Sequence, residues 1–428
     1  MRNRKARLAL AAPFAVAVMM IAAAPASATG QELMLHSFTG DPDGSIPRDS
    51  LIFDGAGNLY GTTSSGGAYN VGTAFELTPQ QDGSWTETIL HSFQENFTDA
   101  FEPEAGLIFD GAGNLYGTSV AGGAHSYGTV FMLTPDGHGV WTETILHSFT
   151  GGRDGAELYG GLVIDAAGNL YGTSAGEGIR GNQGNVFKLA PPANKSKGKW
   201  VLTVLHTFKG NDGWSPEAGL VADGAGNLYG TTSLGGKEGG GNVFELSPNP
   251  NGSWKEKVLH TFRYEHGDGN DPADSLILDS VGNLYGTTFA GGLNDCEFGC
   301  GVVFELSPPA GDTDGQWSEN ILYKFTGGAD GGDPVAGLIL SGGDLYGTTE
   351  FGGVSGQFCG DGCGTVFKLV PGVAGGWDES VLLSFANPDG AFPTAAPIFD
   401  AAGNLYGTTL EGGNDRVDGV VFELPNQH

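Results

Sequence analysis

The chain has 428 residues with 49 acidic against 19 basic side chains, a formal net charge of −30. That balance excludes a nucleic-acid binder, which needs basic stripes to displace counterions, and disfavours docking on anionic membranes. Glycine supplies 76 residues without a Gly-X-Y period and aromatic residues supply 10%, which excludes collagen and argues against disorder.

In chain order, Arg2, Arg4, Lys5 and Arg7 precede an apolar stretch from Leu8 to Ala24, and Ala26-Ser27-Ala28 offers a small-residue cleavage site. This is the pattern of a secretory signal peptide over residues 1–28, too short and wrongly flanked for a membrane anchor. Its removal takes away four basic and no acidic residues, moving the net charge to −34. A surface so acidic reads either as solubility by self-repulsion or as attraction of cations or cationic partners. No cysteine precedes Cys296, so a lipoprotein is not expected, and no other apolar run approaches the ~18 residues of a membrane span. The expectation is a mature chain over residues 29–428, monomeric and secreted or periplasmic.

The hexapeptide Gly-Asn-Leu-Tyr-Gly-Thr then appears at Gly57–Thr62, Gly113–Thr118, Gly168–Thr173, Gly226–Thr231, Gly282–Thr287 and Gly403–Thr408, with one variant at Gly343–Thr348. The seven tyrosines, Tyr60 to Tyr406, are 55 to 61 residues apart, a period that marks a repeat architecture. The second copy shows the unit. Leu107-Ile108-Phe109-Asp110 reads as a short strand A and Asn114 to Ser119 as strand B. Gly128 to Leu133 reads as strand C and Trp141 to Phe149 as strand D. The runs are rich in β-branched and aromatic residues and bounded by Gly, Pro and Asp, with no sustained helical period. Four strands per repeat, seven times, predict an all-β, seven-bladed β-propeller. The mature chain starts on a lone D strand, Glu32 to Phe38, and ends on a lone C strand, Val420 to Leu424. The first is expected to complete the last blade and close the ring, leaving no open edge.

The Leu-Ile-Phe-Asp-x-x-Gly-Asn-Leu-Tyr-Gly-Thr-Thr unit, the Gly-Thr-Val-Phe-Glu-Leu strand and the Trp-x-Glu-x-x-Leu-His-Ser-Phe strand resemble the GloVer tandem repeat over essentially the whole mature chain. The resemblance implies an exported bacterial repeat protein and no particular activity. Members carry varied C-terminal anchors, whereas this chain ends at Gln427-His428 without a sorting signal, so free secretion is expected.

Among residues that carry chemistry, Asp43, Asp99, Asp154, Asp212, Asp268, Asp330 and Asp389 each lie eight positions before the next A strand, in the D–A loops. D–A and B–C loops of a propeller emerge on one face, so these aspartates are expected to ring one end of the central channel. Asp-Gly is also a turn dipeptide that caps its own backbone. The alternative use is a hard-cation or polar-ligand site, with calcium the candidate ion. Trp214, beside Asp212, is a candidate stacking platform for a sugar. A second series, Asp54, Asp110, Asp165, Asp223, Asp279 and Asp400, with Ser341 in its place once, reads as A–B turn chemistry on the opposite face. His36, His91, His147, His206 and His260 share one repeat position with Tyr323 and Leu383. Lying on different outermost strands, they cannot meet one another and read as blade packing, as do Trp85, Trp141, Trp200, Trp254, Trp317 and Trp377. Cys296, Cys300, Cys359 and Cys363 read as disulfides of an exported chain, within each loop or across blades. No nucleophile elbow, zinc-protease helix or phosphate loop is present.

The reading is a binding or interaction module whose D–A and B–C loop face holds an extracellular polysaccharide, a surface protein or a cation-bridged ligand. Its alternative is an extracellular hydrolase or lyase acting on a polysaccharide, with a pocket over the channel. The loops carrying the cysteines, Glu297 and Asp361 are where the repeat symmetry visibly breaks. A structural surface-layer component is the third reading.

Overall fold

The computed structural model describes residues 32–427 except 177–180, 182, 195–197, 264–266, 273, 294–295, 297–298, 310–314, 356–358, 374 and 415–416. Residues 1–28 and Glu297 therefore lie outside the described residues. Seven four-stranded antiparallel sheets form the blades of a β-propeller, and among the described residues there is no α-helix. Blade 2 comprises strand A (Ile108–Phe109), B (Leu115–Ser119), C (Thr129–Pro135) and D (Trp141–Ser148), hydrogen-bonded in that order. Leu33–Ser37 pairs antiparallel with Val420–Leu424, Leu33 opposite Glu423 and Ser37 opposite Val420, and so supplies the D strand of blade 7.

The sequence motif follows from where each strand sits. Strand B of every blade is buried along its whole length except the first residue of its copy in blade 6, so its two hydroxyl residues need partners: Thr62 donates to Ala105 O of the next blade and Thr63 pairs with Thr73 of strand C. Its glycine is fixed by packing. A Cβ on Gly117 would lie 2.5 Å from the ring of Phe131 on strand C, and the same collision recurs between Gly61 and Phe75 at 2.7 Å. Blades are joined by a second aromatic position. Phe93, just after strand D of blade 1, meets Phe131 of blade 2 edge-on at 5.1 Å. The equivalent contact occurs at all seven junctions, including Phe38–Phe75 and Phe385–Phe422 at the closure. The strand D tryptophans also bridge blades. Trp85 packs on Tyr406 and Trp200 on Tyr116, each belonging to the blade before.

The D–A loop entering a blade pairs with that blade's own B–C loop, as in Ser45–Ser65, Ala100–Gly122, Trp214–Leu234 and Gly269–Gly291. Both loops thus occupy one face. Within each D–A loop one residue adopts a left-handed backbone, with φ between 54° and 59° (Ile46, Glu102, Glu157, Ser215, Asp271, Asp333, Phe392). Its amide donates to the preceding blade, for example Glu102 N–H to Val71 O, while its carbonyl accepts from the end of its own strand B, Val120 N–H. Two hydrogen bonds of this kind, one to each neighbour, offset the strain of a left-handed L-residue.

On the opposite face the A–B turns are held by the second aspartate series. The Asp110 carboxylate accepts from the Ala112 and Asn114 amides, the Asn114 side chain at 2.8 Å and the Tyr116 hydroxyl at 3.1 Å. The large grooves on this face, about 720, 640 and 500 Å³, lie between successive blades and are lined by these same repeat residues, so they belong to the architecture.

Candidate functional site

On the face bearing the D–A and B–C loops, a cavity of about 270 Å³ lies on the ring axis, lined by residues from all seven blades. Arg48, Glu104, Tyr159, Glu217, Val335 and Thr394 line it from one repeat position, four residues before the first strand A residue. A repeat position that packs against a neighbour keeps its residue type, as the glycines and phenylalanines do. This one holds a cation, two carboxylates, a phenol, an alkyl group and a hydroxyl.

The position next along is Ala or Gly in five blades and Asp49 or Asp274 in the other two. These two side chains also line the cavity but are committed to the ring. Asp49 accepts from its neighbour Ser50 N–H and from Gly106 N–H of the next blade, and Asp274 from Ser275 and Gly337 in the same way. Burial, with Asp49 adding repulsion, lifts the Asp274 carboxyl to about 7 against the pull of those amides. The rest of the polar lining is Arg48, Glu104, Tyr159, Glu217, which accepts from the Ser215 hydroxyl, Glu350 and Thr394.

The mouth is crowded with acid. Arg48 Nε lies 3.6 Å from Glu104 Oε1. Burial raises the Glu104 carboxyl, Arg48 opposes it, and Glu102 and Glu217 raise it further. Burial and then Glu217 lift Asp271 to about 6, and burial alone does the same for Asp333. Glu350 is raised by burial and Asp333 against the pull of Arg48.

The seven D–A aspartates are on this face but not at the mouth, and none of them lines the axial cavity. Their carboxylates turn outward for two reasons. They cap their own loops, as Asp43 does for Thr39 N–H at 3.0 Å and Asp330 for Thr326 N–H at 3.0 Å. They also meet the side chain of the outermost strand, His91 Nε2 to Asp99 at 3.1 Å, His206 Nε2 to Asp212 at 3.1 Å and the Tyr323 hydroxyl to Asp330 at 3.0 Å. The histidines do not meet one another, but neither are they mere packing. His36, His91, His206 and His260 each join an aspartate of their own loop and a glutamate from strand D of the next blade. The glutamate, four residues before the histidine position, recurs in the Trp-x-Glu-x-x-Leu-His motif, but nothing there says that it meets the histidine of the neighbouring blade. That partnership becomes visible only when the blades are placed side by side.

Trp214 is partly exposed, with its backbone in the loop–loop pairing opposite Leu234. The cysteines pair within their loops, Cys296 with Cys300 and Cys359 with Cys363, and Cys300, Cys359 and Cys363 are buried. Two disulfides accord with an oxidising compartment. No helix among the described residues is long and apolar enough to cross a membrane.

No curated protein sequence matches this chain. Among solved structures, a Thermus thermophilus protein provisionally described as an oxidoreductase (glucose dehydrogenase) is 15% identical with a TM-score of 0.42, covering 92% of this chain and 99% of its own. A luciferin-regenerating enzyme is 14% identical with a TM-score of 0.41, covering 91% and 94%. Likeness at that level carries nothing about activity. The Gloeobacter/Verrucomicrobia repeat matches residues 24–200, 195–357 and 257–428, and the chain, with its seven recurring blades, belongs to that family.

Proposed function

We propose that the protein is a secreted, monomeric binding module that holds an extracellular ligand over the axial mouth on its loop-bearing face. The observation that carries this is the loss of repeat identity at one position, where Arg48, Glu104, Tyr159, Glu217, Val335 and Thr394 replace one another around the cavity. An asymmetric ring of acceptors, one cation and one phenol suits a polyhydroxylated ligand such as a polysaccharide segment. The surplus of carboxylates suits a calcium ion bridging that ligand to the protein, since calcium takes oxygen donors. Secretion is supported by the basic and apolar pattern of residues 1–28 and by the two disulfides.

The test is retention of the purified protein on a panel of immobilised polysaccharides, with calcium and with a chelator. Calcium-dependent retention is expected, weakened at least ~10-fold by Glu104→Gln with Glu217→Gln, about the 1.4 kcal/mol of one lost charge-assisted contact. Asp99→Asn is expected to leave it unchanged. Retention equal in the double variant and the parent would remove the mouth as the site.

A further inference from the structure

Away from the mouth, at the outer edge of the same face, the blade junctions carry a second arrangement that the binding reading does not use. Junction 7/1 brings together His36 of the closing strand, Asp43 of the loop that follows, and Glu87 of strand D in blade 1 (Trp85–Ser92). The same three roles are filled by His91, Asp99 and Glu143, by His206, Asp212 and Glu256, and by His260, Asp268 and Glu319. In each group one ligating atom from each residue lies within 4.8 Å of the others.

Three observations separate these groups from chance clusters of acid. The first is spacing. His36 Nε2 stands 3.5 Å from Asp43 and 3.7 Å from Glu87, and His260 Nε2 stands 3.8 Å from Asp268 and 3.3 Å from Glu319. Zinc–ligand bonds of about 2.1 Å at tetrahedral angles place neighbouring ligands ~3.4 Å apart, the same range. The second is unmet pairing in three of the four groups. Nε2 of His36 and His260 and Oε1 of Glu87, Glu256 and Glu319 are buried and have no hydrogen-bond partner, although a buried polar atom ordinarily has one. In the fourth, His91 already bonds Asp99 and Glu143 accepts from Ala100 N–H. The third is recurrence with interruptions. The remaining junctions carry His147 and Asp154 with Leu202, Tyr323 and Asp330 with Glu379, and Leu383 and Asp389 with Glu32, each lacking one ligand.

We infer that the four complete His–Asp–Glu junctions are divalent transition-metal sites, taking Zn²⁺ in preference to Ca²⁺, that fasten neighbouring blades together. One imidazole nitrogen and two carboxylates, with water completing the shell, suit zinc; calcium takes six to eight oxygens and gains nothing from imidazole. The histidine and aspartate come from one blade and its following loop and the glutamate from the next blade. An ion bound there closes the junction from outside, as the Phe–Phe contacts do from within.

The test is zinc titration of the chelator-treated full chain by calorimetry, with circular dichroism confirming the fold. Four ions per chain are expected, together with a rise in melting temperature. Glu87→Gln, nearly isosteric, is expected to bind three, and Leu202→Glu, which completes junction 2/3, to bind five. Glu104→Gln with Glu217→Gln is expected to leave the count at four, separating these sites from the mouth. X-ray absorption at the zinc edge is expected to show one imidazole with oxygen ligands. No uptake of zinc, a count unchanged by both Glu87→Gln and Leu202→Glu, or displacement of zinc by equimolar calcium would overturn the inference.

Discussion

The Asp110 carboxylate shows how much one side chain of the repeat has to do, since four donors converge on it where strand A turns into strand B. Burial alone would raise such a carboxyl, but the hydrogen bonds win and hold it below the ordinary carboxylate value, as they do for Asp54, Asp165, Asp223, Asp279 and Asp400. A carboxyl lowered by folding stabilises the fold above its unfolded value, and that contribution disappears as pH falls through the folded value. Asp110→Ala is expected to cost about 1–2 kcal/mol in urea unfolding at pH 7, with the difference from the parent shrinking below about pH 3–4. Blade 6 solves the turn differently. Ser341 stands in for the aspartate, the Tyr346 hydroxyl donates to Gln427 O, and Lys368 pairs with Asp344 at 2.8 Å. The glycine of strand B is a packing constraint rather than a turn. Gly117→Ala pushes a methyl group into the Phe131 ring and is expected to cost about 1–3 kcal/mol by the same measurement.

Between elements, the junction glutamates decide how stability depends on pH. Burial, with Asp43 adding repulsion, lifts Glu87 to about 8, and burial with Asp99 lifts Glu143 to about 9; Glu256 and Glu319 reach about 7. A glutamate raised by folding keeps its proton in the native state while the unfolded chain loses it near 4.5. Its contribution is therefore complete below about 4.5 and is lost as pH rises towards the folded value, by up to about 1.4 kcal/mol per pH unit for each such group. The metal-free protein is expected to melt at lower temperature at about pH 8 than at about pH 5.5. Glu87→Gln, which cannot ionise, should lessen that fall. The strands themselves were legible because each packs against an identical neighbour, so that Phe131 and Gly117 recur with the period. The D–A aspartates were legible as a series too, but their direction was not. Turn capping and His91 or Tyr323 draw them to the outer strand, and neither partner is adjacent in sequence. The axial mouth escaped for the opposite reason, since Arg48, Glu104 and Tyr159 differ from one another and leave no repeat to notice.

For the whole molecule, the seven blades depend on a single closure. Residues Leu33–Ser37 cover the edge of Val420–Leu424, and Phe38 fills the junction against Phe75. A chain lacking residues 1–38 would leave strand C of blade 7 unpaired, and an uncovered strand edge recruits another chain. Sedimentation velocity is expected to show dimers or larger species for that truncation, together with a lower melting temperature; a monomer melting like the parent would show the closure to be dispensable. The closing pair was readable from the repeat pattern, a lone D strand ahead of blade 1 and a C strand in blade 7 with no D strand of its own.

The same pairing sets a clock. Residues 33–37 leave the ribosome early, and their partners at 420–424 are made only after every other blade. Blades 1 to 6 can assemble in the order of synthesis, each from contacts close in sequence, but the seventh must wait for that late strand. Until then the growing protein is an open arc with a free flank at each end. The first strand is therefore the last to find its place, and the ring stays unclosed for as long as residues 420–424 are withheld.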